Sequence, residues 1–400
     1  MPLPLIFILV TVAIDAMGVG LILPVTPDLI REINGGNLSE AALWGGILAT
    51  SYAVMQFICG PAMGALSDRF GRRPVLLLTL ALLSLDYLVM AVAGTLWLLF
   101  IGRIVAGVAA ATQATALAFI ADISKPEEKA VRFGMVSAAF GLGFVVGPLI
   151  GGLLAEFGTR APFYAAAAIS AANLVFGWFV LPETVTDRIR RPFEVARANP
   201  FGAFAALRHY PAISRLMLMF FLYQVAFMVY PSVWAYFTQA RFGWSPTMTG
   251  ISLASFGLSL ALVQGVLIRG ILARFGDRMT VIYGLGFNAV AFLAIGLVTN
   301  GTVALFLTPI TSLGAVVMPA LQGFLSRAAP DDAQGELQGL MSSATALALI
   351  LSPLISTSVF AAFTRDEAPI FLPGAPFLVS MLLMGACYFV FMAPERRQSA

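Results

Sequence analysis

The sequence predicts an all-α integral membrane protein with twelve transmembrane helices, arranged as two six-helix pseudo-repeats. Hydrophobic residues make up 60% of the chain and charged residues only 11%, whereas about a quarter of residues are charged in an ordinary soluble domain. The 400 residues have room for about twelve spans of about 20 apolar residues with their loops. The longest polar stretch lies near the middle of the chain and separates two sets of apolar runs.

The apolar runs are bounded by charged residues, glycine or proline, which mark helix ends. They predict helices at 4–25, 43–63, 75–94, 96–119, 131–154, 161–181, 212–237, 247–268, 280–299, 302–325, 336–360 and 375–393. The first six form an N-terminal bundle, 1–181, and the last six a C-terminal bundle, 212–400. A polar linker at 182–211 joins them and contains the single histidine, His209, for which we expect a solvated position.

The distribution of basic residues predicts the orientation. With both termini in the cytoplasm, cytoplasmic segments hold 18 of the 23 lysines and arginines and the opposite face only four, as the positive-inside rule requires. The net charge of +3 follows from this placement and indicates no nucleic-acid partner. No basic residue precedes Arg31, so we expect no cleaved signal peptide and a retained first helix. A bacterial inner-membrane protein is predicted.

Enzyme chemistry has no support in the sequence. No Ser/His/Asp, metal-ligand or phosphate-loop arrangement occurs, so no catalytic residue, metal or cofactor is predicted. Cys59 and Cys387 both fall inside apolar runs, which favours buried small side chains over a disulfide or a metal site.

A short charged turn separates the second and third predicted helices. The stretch 64–74 reads GALSDRFGRRP and lies between two apolar runs. Arginines resist crossing a bilayer and mark the cytoplasmic face, the aspartate gives them an internal partner, and the glycines permit a tight bend. The residues singled out in this turn are Gly64, Asp68, Arg69, Gly71, Arg72 and Arg73.

Three ionisable side chains fall well inside apolar runs: Asp15, Asp86 and Arg103. Each would cost several kcal/mol if it faced lipid, so we expect them to face a cavity or one another. One interpretation is an ion pair that only holds helices together. The other is a proton site, because a poorly hydrated cavity favours the protonated form of a carboxyl and a nearby arginine opposes that effect.

The fifth predicted helix carries glycines at four-residue spacing. Gly143, Gly147 and Gly151 lie on one helical face, which permits close backbone contact with a neighbouring helix. Pro148 removes one helical hydrogen bond and favours a bend. Packing alone is sufficient to explain the glycines.

Several segments together resemble the tetracycline/proton antiporters of the major facilitator superfamily, and they cover nearly the whole chain. They are IDAMGVGLILPV (14–25), SDRFGRRPVLLL (67–78), SLDYL (84–88), FGLGFVVGPLIGG (140–152), RFGW (241–244) and PALQG (319–323). The resemblance implies the major facilitator fold, with two repeats related by an axis along the membrane normal and a substrate cavity at mid-depth. It also implies proton-coupled efflux by rocking of two halves, and hence antibiotic resistance.

The resemblance also implies roles for individual residues. Asp15 and Asp86 correspond to carboxylates important for transport, and Arg103 to the basic residue of helix four. The turn at 64–74 corresponds to a cytoplasmic gate, with Asp122 as a partner of its arginines. The residues matching the antiporter motif of helix five are Gly143, Gly147, Pro148, Gly151 and Gly152.

Two positions depart from the family pattern. Asn288 stands where the family has a helix-nine aspartate, and Leu260 where some members have a histidine. Proton coupling is therefore expected to rest on the N-terminal half or to be altered, and the substrate need not be tetracycline itself. The polar side chains expected to orient a substrate are Gln56, Gln113, Gln264, Asn288 and Gln322.

The predicted function is proton-coupled antiport of hydrophobic or amphiphilic small molecules, with tetracycline-like drugs as candidates. The expected partners are the substrate, protons and membrane lipid, and the functional unit is expected to be a monomer. Two alternatives stay open: a metabolite uniporter or symporter of the same fold, and a non-transporting membrane receptor or anchor. The intramembrane charges disfavour the receptor, and the helix-five resemblance disfavours the symporter.

Overall fold

The computed structural model describes residues 2–110, 112–185, 211–330 and 333–393. Within these ranges, eleven helical segments are long and apolar enough to cross a membrane. The longest, Pro246–Leu297, has 52 residues and is interrupted at Gly276, where φ is 69° and ψ is 166°. Because this segment supplies two spans, the predicted twelve-helix membrane fold is confirmed.

Sixteen helices make up these spans and one short connection. They are α1 (Leu3–Ile22), α2 (Thr26–Asn34), α3 (Leu38–Phe70), α4 (Arg72–Val92), α5 (Leu96–Ala109), α6 (Thr112–Ile123), α7 (Pro126–Leu154), α8 (Ala161–Val180), α9 (Pro211–Phe227), α10 (Val229–Phe242), α11 (Pro246–Leu262), α12 (Ile268–Leu297), α13 (Gly301–Thr311), α14 (Val317–Ala328), α15 (Gln334–Ala362) and α16 (Ala375–Met392). A π-helical segment, Val263–Leu267, joins α11 to α12, and a 3₁₀ segment, Ser312–Val316, joins α13 to α14.

The predicted extent of the charged turn at 64–74 is wrong. Helix α3 continues to Phe70 and α4 begins at Arg72, so the turn is the single residue Gly71. Its φ of 113° is a conformation that glycine adopts without the steric cost of a Cβ. Gly64 lies inside α3, where a Cβ would meet no atom within 4 Å, so it has no part in the bend.

Three predicted helices are interrupted. The fourth is divided into α5 and α6 and the tenth into α13 and α14, while the seventh breaks at Met228 between α9 and α10. Pro231 explains the last break, because it has no N–H to donate to the carbonyl of Phe227. The short helix α2 was not predicted, since its nine residues are too few and too polar to form an apolar run.

The chain divides into two compact units. The first comprises Met1–Pro200 and Trp234–Gly257, and the second Phe201–Val233 and Leu258–Ala400. Residues 186–210, which contain most of the predicted linker and His209, lie outside the described residues. The division into bundles at 1–181 and 212–400 stays a prediction.

The first unit has an apolar core between α1, α4, α6, α7 and the end of α8. Its buried members are Leu5, Phe7, Ile8, Val12, Leu76, Leu80, Ala116, Phe119, Ile120, Val136 and Leu181. Helix starts are capped by side chains: Asn37 accepts from the Glu40 N–H at 2.9 Å and Thr95 from the Leu98 N–H at 3.3 Å. Caps of this kind satisfy amide groups that have no partner inside the helix.

Candidate functional site

Asp86 and Arg103, two of the three intramembrane charges, form a buried ion pair in the first unit. Arg103 Nη2 contacts Asp86 Oδ2, and the two side chains are 11% and 1% exposed. Arg103 Nε and Asp86 Oδ1 have no hydrogen-bond partner among the described residues. A buried ion pair repays its desolvation cost only when its other polar atoms are also hydrogen-bonded. Stability alone therefore does not explain this pair.

Asp15 lies beside this pair but is not part of it. The residue is half-buried in α1 and has no hydrogen bond or ion pair within the described ranges. Tyr52 of α3 lies within range of the charges of both Asp15 and Arg103, and the Arg103 guanidinium carbon lies 5.5 Å from the centre of the Tyr52 ring. We call Asp15, Tyr52, Asp86 and Arg103 the charge group.

The charge group contains a residue that sequence reasoning missed. A tyrosine inside an apolar run is common and carries no signal by itself, and only the packing of α3 beside α5 places Tyr52 against Arg103. Asp15 is the carboxyl that can gain or lose a proton without breaking an ion pair. Protonation of Asp86, in contrast, would leave the Arg103 cation buried without its counter-ion, unless the contact between the two side chains is broken first.

A second charged cluster surrounds the turn at Gly71. Arg72 contacts Asp68 Oδ1 at 2.5 Å and Asp122 Oδ2 at 3.2 Å, and its Nη1 donates to Ser67 Oγ at 2.5 Å. The Arg72 side chain is 12% exposed. Arg72 and Asp122 are 50 residues apart in the sequence. The structure therefore brings the charged turn together with the end of another helix.

Glu183, which sequence reasoning missed, completes this cluster. Its carboxylate accepts hydrogen bonds from the backbone N–H groups of Arg72 at 2.9 Å and Arg73 at 3.3 Å. These are the first residues of α4, where unpaired N–H groups attract an anion. A Cβ at Gly71 would lie 3.0 Å from Glu183 Oε1 and closer still to the rest of the carboxylate. The sequence feature that could have identified Glu183 is its position as an acidic residue just after the sixth predicted helix.

We call Asp68, Gly71, Arg72, Asp122 and Glu183 the Gly71 cluster. Two other arginines of the predicted turn make different contacts. The Arg69 guanidinium lies 5.2 Å from the ring centre of Phe70, and Arg73 Nη2 donates to the Trp178 carbonyl at 2.8 Å.

The glycines of α7 make the predicted close helix contact, and the partner is α1. A Cβ at Gly147 would lie 2.5 Å from Met17 O and 2.9 Å from Gly20 Cα. Cβ atoms at Gly143 and Gly151 would likewise meet backbone atoms of α1. Because these neighbours are backbone, the two helices cannot adjust by side-chain rotation. The residues in contact flank Asp15, so α7 also helps to set the position of that carboxyl.

A second face of α7 contacts α11 inside the same unit. A Cβ at Gly152 would lie 2.6 Å from Pro246 O and 2.9 Å from Thr247 Cα. Pro148 lies between the two faces: its ring packs against Gly20 of α1, and its carbonyl group lies against Gly250 of α11. The antiporter-motif residues are thus a packing surface for two helices.

The five predicted substrate side chains differ in how their amides are used. Gln56 Nε2 donates to Ala110 O at 3.5 Å, where α5 ends, and Asn288 Nδ2 donates to Gly314 O at 2.8 Å. Gln264 in the π segment and Gln322 in α14 are exposed. The side chain of Gln113 lies outside the described part of the structure. Substrate contact by these residues stays a prediction.

Comparisons with known proteins give a consistent result. A family model described as the Major Facilitator Superfamily matches residues 8–267 and 216–400. Tetracycline resistance protein, class C, of Escherichia coli is 44% identical over 358 residues, 90% of this chain and 90% of that protein. Multidrug resistance protein 2 of Bacillus subtilis (strain 168) is 27% identical over 89% of this chain and 88% of that protein.

Among solved structures, a bacterial homologue of the human lysosomal transporter Spinster has the same fold. The TM-score is 0.79 at 16% sequence identity, and the match covers 97% of this chain and 95% of the other. At that identity the similarity concerns the fold alone.

Proposed function

Because this chain belongs to the major facilitator superfamily, in the group that contains the tetracycline resistance proteins, we propose that it is a proton-coupled exporter of hydrophobic or amphiphilic small molecules. It is a multi-pass membrane transporter and not an enzyme. The names of the relatives make tetracycline-like and other drugs the candidate substrates.

The observation that carries the proposal is the charge group. A half-buried carboxyl without an ion-pair partner, Asp15, lies within electrostatic reach of Tyr52, which also contacts a buried Arg103–Asp86 pair. Ionisable groups at this depth are costly and usually mark ion pathways. Asp15 takes up and releases the proton, and Tyr52 transmits the change in its charge to Arg103.

Coupling requires that the proton affinity of the carrier differs between two conformations. Arg103 can cause this difference in proton affinity if it lies near Asp15 in one conformation and is held by Asp86 in the other. Asp15 then loses its proton where Arg103 is near and regains it where Arg103 is paired with Asp86. Substrate and proton are exchanged because binding of one excludes the other in both conformations.

The Gly71 cluster is the gate in this proposal. Arg72 links the ends of α3, α4 and α6 through Asp68 and Asp122, so breaking these contacts frees three helix ends at once. By the positive-inside rule this end faces the cytoplasm, with both termini on the same side of a bacterial inner membrane. The transporter works by alternating access as a monomer surrounded by lipid, and it uses the proton gradient and no cofactor.

Drug accumulation in cells tests the proposed function. Cells expressing the wild-type chain are compared with cells expressing Asp15→Asn, using tetracycline, a cationic dye and a neutral hydrophobic drug, with and without an uncoupler. At least one compound should accumulate less in wild-type cells, and the uncoupler should remove the difference. Export that persists in the uncoupler would indicate a uniporter, and no effect on any compound would favour a receptor.

A further inference from the structure

The helix formed by α13 and α14 is interrupted by the 3₁₀ segment Ser312–Val316. Pro309, just before it, has no N–H and removes one hydrogen bond of the helix. Backbone bonds in 3₁₀ segments have poorer geometry than those of an α-helix. The carbonyls of Pro309 and Gly314 each accept one backbone N–H, from Ser312 and Val317. A carbonyl oxygen has a second lone pair, so additional donors can hold the break in place.

Three neighbouring helices supply these donors within the second unit. Asn288 of α12 donates its amide to Gly314 O at 2.8 Å, and Tyr223 of α9 donates its hydroxyl to the same oxygen at 3.4 Å. Ser259 of α11 donates to Pro309 O at 2.8 Å. Side chains from α9, α11 and α12 therefore converge on one interruption.

Asn288 fits this place in both shape and chemistry. It is 2% exposed, and a Cβ at Gly314 would lie 2.7 Å from Asn288 Nδ2 and closer to its other amide atoms. A carbonyl oxygen can only accept, so a side chain at position 288 makes this contact only if it presents a donor. The amide of Asn288 is always a donor, whereas a carboxyl at this position would donate only in its protonated form.

Helix α12 also contacts α14 directly, beyond the 3₁₀ segment. One turn before Asn288, a Cβ at Gly284 would lie 2.5 Å from Val317 Cγ2. At the far end of α14, Arg327 forms an ion pair with Asp277. Helix α14 thus contacts α12 at its first residue and near its end, and Asn288 contacts the 3₁₀ segment that precedes it.

We propose that Asn288 is a positioning residue of the transport cycle. It acts by holding the break at Gly314, and through it the direction of α14, rather than by contacting the substrate. Because α14 carries Gln322, the tie also sets where that exposed amide is presented. This inference rests on the proposed transport function for its effect on turnover, but not for its effect on stability.

A double-mutant cycle in detergent tests the tie without any transport assay. Asn288→Ala and Gly314→Ala should each lower the midpoint of thermal unfolding, the first by loss of a buried donor and the second by collision with the amide. The double variant should lose clearly less than the two single losses together, because Asn288→Ala makes room for the new Cβ. Additive losses would overturn the tie.

Asn288→Leu separates donation from shape. The leucine side chain branches at the same carbon as the amide but has no donor, so Asn288→Leu should melt at least as low as Asn288→Ala. Gln322→Ala, an exposed amide on α14, is the matched control and should keep the wild-type midpoint. Wild-type stability of both Asn288 variants would show that the amide is not needed at the break.

Transport and binding then distinguish positioning from substrate contact. With a compound that the wild type exports, Asn288→Ala should lower the maximal rate by roughly fivefold or more while the dissociation constant changes less than about twofold. A raised dissociation constant at an unchanged maximal rate would overturn positioning in favour of contact. If the wild type exports nothing, the proposed function fails, and the unfolding cycle still decides whether Asn288 holds the break.

Discussion

Gly147→Ala should force α1 away from α7 and impair transport. The new Cβ would lie 2.5 Å from Met17 O, whereas ordinary contact begins at 3.4 Å. The two backbones therefore have to separate by about 0.9 Å, the difference between these distances, because a packed helix interface has no free space to absorb the methyl group. Overpacking of this kind costs about 1–3 kcal/mol.

The transport defect follows from the position of Asp15. It lies two residues before Met17 on α1, so a displacement of this helix moves the carboxyl relative to Tyr52. The assays are thermal unfolding in detergent and proton-gradient-driven uptake into inverted membrane vesicles. Gly147→Leu, with a larger side chain, should be more severe in both.

Gly141→Ala is the matched control on the same helix. A Cβ at Gly141 has no atom within 4 Å, so this variant should unfold and transport like the wild type. If Gly147→Ala and Gly141→Ala are indistinguishable in both assays, the close contact between α1 and α7 does not matter and the reasoning from glycine packing is refuted.

Three further predictions concern the two charged sites. Asp68→Asn should nearly abolish transport while the protein still reaches the membrane, because Arg72 loses one of its two ion-pair partners; a wild-type uptake rate would contradict the gate. Asp15→Asn and Asp86→Asn should each lose uphill transport in vesicles, with at least one still binding substrate in detergent. Asp86→Asn should also lose about 3 kcal/mol of stability, since it leaves Arg103 buried without its partner, and equal unfolding of the two variants would argue against the pair. Glu183→Ala should cost about 1 kcal/mol as a lost helix cap and slow transport, which Glu183→Asp should partly restore; a variant as active as wild type would remove Glu183 from the gate.

The membrane class, the number of spans and the positions of the costly charges could all be read from the sequence. Each of these depends on properties of short stretches: the length of an apolar run, or a charge inside it. The structure adds that GRR after Phe70 and GDR after Phe275 both have glycine at a positive φ, 113° at Gly71 and 69° at Gly276. Resemblance to a family added Asp122 as a partner of the turn's arginines, and the structure shows that the arginine is Arg72.

Which distant side chains meet depends on the tertiary structure. Glu183 reaches the start of α4 from a position 111 residues later, and Tyr52 meets Arg103 only because α3 packs beside α5. The predicted substrate residue Asn288 turned out to donate to Gly314, at an interruption that no apolar run reveals. The side-chain donors that hold this break come from three other helices, and their positions are distributed along the chain, far from the break in sequence.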